Sequence, residues 1–141
     1  MSNHEQQLIL DMLDREAIRN IVAAYYDAIW RDDIDAVVQF FSTDGTIEVT
    51  NGLLGGRSPV GHEQLRGFYI EGAKLMSPRP FNHNHVVDLL GKGEATGRCY
   101  VELRSSIDFH WVAAVIYHDE YIEIGGKWKF KKRRATLQSV K

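Results

Sequence analysis

Phe81-Asn82-His83-Asn84-His85-Val86-Val87-Asp88-Leu89-Leu90-Gly91-Lys92-Gly93 is the stretch that decides the fold class. Phe81 to Leu90 reads as a strand, and Gly91-Lys92-Gly93 as the turn that reverses it. The chain then stays in strand pattern. Between Ala95 and Arg104, the residues Thr96, Arg98 and Tyr100 alternate with Gly97, Cys99 and Val101. A loop at Ser105-Ser106 leads into a strand from Phe109 to Ile124, and Gly125-Gly126 marks a hairpin. Lys127 to Leu137 is the last strand, with Trp128 and Phe130 on one face and Lys127, Lys129 and Lys131 on the other. The second half is therefore a long antiparallel meander.

The half before this stretch reads as helix. Ile18, Ile21, Val22, Tyr25 and Ile29 recur at three- and four-residue steps, which predicts a helix from Asp14 to Trp30 with one buried stripe and Asp14 as its N-cap. Arg31-Asp32-Asp33 ends it. A second helix runs from Ile34 to Phe41, Ser42-Thr43-Asp44-Gly45 is a turn, and Thr46 to Thr50 alternates as a short strand. Ser58-Pro59 opens a third helix, whose inner face carries Leu65, Phe68, Tyr69 and Leu75, and Ser77-Pro78-Arg79-Pro80 breaks it. Asp32, Asp33 and Asp35 crowd one junction, where their expected work is to end one helix and cap the next. Helices first and strands second give an α+β layout in one domain over residues 1–141.

Composition narrows the functional classes. At 44% hydrophobic and 26% charged, the chain is ordinary for a globular protein. A net charge of -2 predicts no general attraction to nucleic acid or to an anionic membrane. The basic tail Lys127, Lys129, Lys131, Lys132, Arg133 and Arg134 reads as a solvated outer strand face. No apolar run is long enough to span a membrane. Cys99 is the only cysteine and reads as a small apolar strand residue. With no pair to form a disulfide, and no secretion-signal order in Met1 to Gln7, a cytoplasmic location is expected.

Chemistry-bearing residues concentrate at the start of the meander. Side chains two apart on a strand share a face, so His83 and His85 are expected on one side and Asn82 and Asn84 on the other. Two imidazoles on one face suit proton handling or ligand binding. His110 shares a strand and a parity with His118, and could approach His83 or His85. No carboxylate stands at a metal-ligand spacing beside these histidines, so neither metal nor cofactor is assigned.

Three helices cannot cover both faces of a long twisted sheet. The natural solution is a curved sheet wrapped around the first helix, a cone with an interior pocket open at one end. Apolar walls with sparse polar groups make a small-molecule site. Tyr25, Tyr26, Trp30, Phe68, Tyr69, Tyr100, Phe109, Trp111 and Tyr117 are available for those walls.

Several segments together resemble SnoaL-like proteins, of the superfamily named after nuclear transport factor 2. They are Ala17-Ile18-Arg19 through Tyr25-Tyr26-Asp27-Ala28, Asp33-Ile34-Asp35-Ala36-Val37, Phe40-Phe41-Ser42-Thr43-Asp44-Gly45, Ala95-Thr96-Gly97-Arg98-Cys99-Tyr100, Tyr117-His118-Asp119-Glu120-Tyr121 and Gly126-Lys127-Trp128-Lys129-Phe130. The resemblance implies the cone just described, usually as a dimer, and relatives that include cofactor-free dehydratases and isomerases. In such dehydratases an Asp near the end of the first helix orients a His base at the start of a long strand. A gapless match puts Trp30 at the Asp position and Pro80 near the His position, so the dyad is absent from it. A shift of three residues would bring in Asp33 and His83. Tyr25 matches a pocket tyrosine of some of these dehydratases.

Two functions follow as expectations. In the first, a cofactor-free lyase or isomerase abstracts a proton from a small hydrophobic, cyclic, oxygenated compound. His83 or His85 is the base, Tyr25 donates to the oxyanion, and Tyr26, Trp30, Phe68, Tyr100, His110 and Trp111 contact the ligand. In the second, the cavity binds a ligand or supports a homodimer without catalysis.

Overall fold

The structure, a computed structural model, describes residues 1–140, with side chains through Gln138. Its elements run α1 Asn3–Trp30, α2 Ile34–Gln39, β1 Phe41–Val49, α3 Gly61–Met76, β2 Pro78–Gly91, β3 Glu94–Ser105, β4 Trp111–Ile124 and β5 Lys127–Val140. The five strands form one sheet in the order β1-β5-β4-β3-β2. The meander β2 to β5 is antiparallel throughout. The sheet as a whole is mixed, because β1 lies parallel to β5 at the edge. α3 carries the chain from that edge to β2 at the opposite one.

α1 crosses the inner face of the sheet. Its stripe of Ile18, Val22, Tyr25 and Ala28 is at most 1% exposed. Each large apolar side chain removed from water in this way contributes about 1.5–3 kcal/mol. Side-chain bonds fix the crossing at both ends. Trp30 Nε1 donates to the Pro80 carbonyl at 2.7 Å, and Trp128 Nε1 donates to Asp14 Oδ1 at 3.2 Å. Asp14 is therefore a partner of the last strand and not the N-cap expected of it. Ser2 caps α1 instead, twelve residues upstream, by accepting from the Glu5 amide.

Other boundaries move for physical reasons. Ser42 to Gly45 is not a free turn: β1 already begins at Phe41 and carries an irregularity against β5 between Phe41 and Thr46. α3 begins at Gly61, two residues after Pro59, and its first amide group at Val60 is met by the Gln64 side chain. Asp33 caps α2 by accepting from Ala36, as expected of that acidic junction. Asp32 instead pairs with Arg79, and Asp35 with Arg66.

Two bulges set which side chains face inward. On β2, Asn82 pairs with Val101 and Asn84 with Tyr100, so His83 is an extra residue. The extra residue breaks the expected alternation: His85 pairs with buried Cys99 on the inner face, while His83 stays exposed. On β5, Phe130 pairs with Tyr121 and Lys132 with Glu120, so Lys131 is extra. Parity inverts beyond it. Arg133, expected on the solvated face, turns inward opposite Asp119 and is 0% exposed.

Candidate functional site

The interior holds two adjoining features: an apolar cavity and a buried polar chain behind it. The cavity is about 110 Å³. An apolar cavity of roughly 150 Å³ holds benzene, so this volume suits one ring-sized molecule. α1 lines it with Tyr25, Tyr26 and Ile29, α3 with Phe68, Tyr69 and Met76, and the sheet with Ile47, Val115 and Tyr117. Asp32 and Asp33, at the end of α1, and Pro78 and Pro80, at the start of β2, form part of its wall.

The polar atoms of the cavity wall are mainly phenolic. The Tyr25 and Tyr69 hydroxyls lie 2.6 Å apart and bond to each other. Two hydroxyls carry two hydrogens, and one bond between them uses one. The second hydrogen has no protein acceptor among the described residues. The Tyr117 hydroxyl also has no protein partner there, and Tyr117 lines the same cavity as Tyr25 and Tyr69. Burial raises the pKa of all three, Tyr69 well above the ordinary value, so they stand as neutral donors at neutral pH.

Behind this wall runs a chain of bonds. His85 Nε2 meets the Tyr121 hydroxyl at 3.0 Å, and that hydroxyl donates to Asp119 Oδ2 at 2.8 Å. Arg133 Nε donates to Asp119 Oδ1 at 2.7 Å, while its Nη2 donates to Oδ2 at 3.2 Å and to the Tyr26 hydroxyl at 3.0 Å. Nη1 has no partner among the described residues. Ring faces surround this guanidinium, with Tyr117 at 4.0 Å, Phe130 at 4.5 Å and Tyr25 at 4.6 Å from its carbon. Their cation–π attraction compensates part of the lost hydration. Burial opposes the Arg133 charge, but Asp119 and the tyrosines outweigh it and its pKa rises.

Gly97 makes the chain possible. A Cβ there would stand 2.9 Å from the Tyr121 ring and 2.7 Å from the Val86 carbonyl. Burial pushes the His85 pKa down; nearby Asp119 opposes the shift, and Arg133 and Arg19 reinforce it. Cys99 sits against Asp119 and Arg133 at 3.8 Å, and its buried thiol is pushed up to about 11.

Of the residues expected at the site, the cavity gathers Tyr25, Tyr26 and Phe68. His85 faces inward but meets Tyr121, outside the cavity wall. His83 is exposed at its bulge. His110 precedes β4, is exposed, and bonds to Asp108. Tyr100 is on the outer sheet face, where it accepts from Arg98. Trp111 is half-buried at the start of β4, away from the cavity wall. Trp30 is not part of the cavity wall; it is stacked edge-on against Phe81 and tilted against Phe109. The site residues not singled out beforehand are Asp119, Tyr121 and Arg133. One signal was present: Tyr117, Asp119 and Tyr121 share a parity, which sets a carboxylate between two aromatic rings on one strand face.

Comparison with known proteins fits this geometry. The SnoaL-like domain family matches residues 11–134. The chain belongs to the SnoaL-like family. Solved structures similar to this SnoaL-like chain share its fold. An NTF2-like protein with a cystatin-like fold from Novosphingobium aromaticivorans is 16% identical, with 98% of this chain and 91% of that one covered at a TM-score of 0.80. A candidate scytalone dehydratase from the same organism is 18% identical, with 93% and 88% covered at 0.77. A ketosteroid isomerase-like protein from Erwinia carotovora atroseptica is 18% identical, with 88% and 95% covered at 0.70. None of the curated proteins matches the chain. The α+β architecture of this SnoaL-like chain is the NTF2-like fold, and no described helix is long and apolar enough to cross a membrane.

Proposed function

We propose that this chain binds one small, mostly apolar cyclic molecule carrying an oxygen acceptor, held in the interior cavity by the hydroxyls of Tyr25, Tyr69 and Tyr117. The observation that carries this reading is the surplus of donors. Of the four tyrosines that line the apolar cavity, Tyr26 meets Arg133, while the hydroxyls of Tyr25, Tyr69 and Tyr117 share a single hydrogen bond among the described residues. A donor without an acceptor costs free energy in such surroundings, and a ligand carbonyl, ether or phenol oxygen would supply the acceptor. Apolar walls with few convergent polar groups are the usual construction of a small-molecule site.

A cofactor-free elimination or isomerisation is the second reading, favoured by Asp32 and Asp33 in the cavity wall. Either carboxylate could take a proton while the phenols stabilise the oxyanion, an effect worth roughly 3 kcal/mol per donor. Each already has work: Asp32 pairs with Arg79, and Asp33 caps α2 and pairs with Arg31. No histidine lines the cavity among the described residues. Binding without turnover is therefore the reading preferred.

The test compares cyclohexanone and cyclohexane by titration against the full chain, followed by amide chemical shifts. Cyclohexanone is expected to saturate and to shift residues of α1, α3 and β4 around the cavity. Replacing Tyr69 and Tyr117 together by Phe should weaken cyclohexanone about 5- to 50-fold, from one to two lost hydrogen bonds, and leave cyclohexane unchanged. Equal weakening of both, or no saturable shift with either, contradicts the proposal.

A further inference from the structure

We infer that the outer face of the sheet carries a second site, formed by Arg98, His118 and Arg134, which binds one compact dianion of the phosphate type, free or as a monoester. The three residues lie in register on adjacent strands. Arg98 of β3 is opposite His118 of β4, and His118 is opposite Arg134 of β5. All three are exposed, while their chain neighbours Cys99, Tyr117, Asp119, Arg133 and Ala135 are buried, so the row stands on the face away from the cavity. Neighbouring strands are about 4.8 Å apart, which sets the two arginines about 10 Å apart at the backbone with the imidazole between them. A row of this kind is unfavourable by itself, because like charges directly opposite each other destabilise a sheet.

The chain does not neutralise this row. Among the described residues, no carboxylate pairs with Arg98, His118 or Arg134. Glu48 of β1 is opposite Arg134, yet its carboxylate goes to Lys132 at 3.1 Å. The Tyr100 hydroxyl accepts from Nε of Arg98 at 3.2 Å, which orients that guanidinium and leaves its two terminal nitrogens to a ligand. Arginine forks bind phosphate oxygens bidentately, and the imidazole N–H adds a donor between them. The surroundings set the size of the anion. The depression over the row is about 380 Å³ and includes Asp88, Thr96, Glu120 and Lys132 in its wall. These four form the next row of the same face. Lys132 is taken up by Glu48, so Asp88 and Glu120 present negative charge at that border. They repel an extended polyanion and leave room for one small anion on the arginine side. The site is separate from the cavity and does not rest on the function proposed for it.

The experiment titrates the full chain with inorganic phosphate and, separately, with methyl phosphate, and follows amide chemical shifts. Sodium chloride holds the ionic strength constant, so that screening does not change along the titration. The shifts should saturate and centre on Arg98, His118 and Arg134. Saturation by inorganic phosphate alone assigns the site to the free ion; saturation by methyl phosphate as well, or alone, assigns it to the end of a monoester. Arg98→Gln and Arg134→Gln should each weaken binding about 10-fold or more, through the loss of hydrogen bonds from a charged donor. Lys127→Gln removes an exposed cation at the start of β5, away from the row, and should leave binding within about twofold of the parent. A response that does not saturate, or that sodium chloride alone reproduces, overturns the proposal. So do arginine variants that bind as the parent does, or a Lys127→Gln loss equal to theirs.

Discussion

Replacing Arg133 by Met tests the interior most severely. Arg133 is 0% exposed, donates two bonds to Asp119 and one to Tyr26, and lies against four aromatic rings. Met fills most of the volume but leaves the Asp119 carboxylate buried, with the Tyr121 hydroxyl as its remaining strong donor. Stranding one member of a buried pair costs about 3–5 kcal/mol. For a domain of this size, that is a fall in melting temperature of about 10–20 °C. Asp119→Asn strands the guanidinium instead and should cost a similar amount. The double variant is the informative one, because Asn still accepts from Tyr121 and no unpaired charge remains. Its cost should be at least about 2 kcal/mol smaller than the sum of the two singles. Urea unfolding at pH 7, followed by far-UV circular dichroism, gives all four corners of the cycle. Additive costs, or an Arg133→Met cost below about 1 kcal/mol, would refute the claim that this pair organises the interior.

Other outcomes follow from the same geometry. His85 has a folded pKa below its ordinary 6.5, because burial disfavours its charge. Stability should therefore be full above about pH 6.5 and fall as pH drops through the lower folded value; His85→Gln should remove that decline in urea titrations between pH 7 and 5. Gly97→Ala should displace the Tyr121 ring and cost about 1–3 kcal/mol by overpacking, with a changed near-ultraviolet spectrum as the sign that the ring has moved. Trp30→Phe keeps the stacking on Phe81 but loses the bond to the Pro80 carbonyl, and thermal unfolding should show a loss of about 1 kcal/mol. Deleting Lys131 removes the extra residue and leaves Lys132 opposite Glu120 and Arg133 inward opposite Asp119, so cooperative unfolding should be retained; its loss would contradict the register.

The order of elements was legible because periodicity reports it directly. The stripe through Ile18, Val22 and Tyr25 marked α1, and the glycine turns marked the meander. The parallel edge strand was not legible, since nothing within Thr46 to Thr50 names its partner. The bulges were not legible either. Inserting one residue at His83 or Lys131 leaves the local pattern intact and inverts every side chain beyond it. That inversion hid Arg133 among basic neighbours that do face solvent, and it separated His83 from His85. Of the residues expected around a pocket, those carried by helices, Tyr25, Tyr26 and Phe68, do line the cavity. Tyr100, expected around the pocket, lies on the outer face, where its alternation with buried Cys99 and Val101 puts it. The early start of α1 was missed because Met1 to Leu10 is exposed throughout and carries no buried stripe of the kind that marks a packed helix.

Diffraction from a crystal soaked in cyclohexanone tests the central claim most directly. The account predicts the ring between α1, α3 and β4, with its oxygen within about 3 Å of the hydroxyl of Tyr25, Tyr69 or Tyr117. A cavity closed by its own side chains, or a ring seated there with its oxygen turned away from all three phenols, would contradict it.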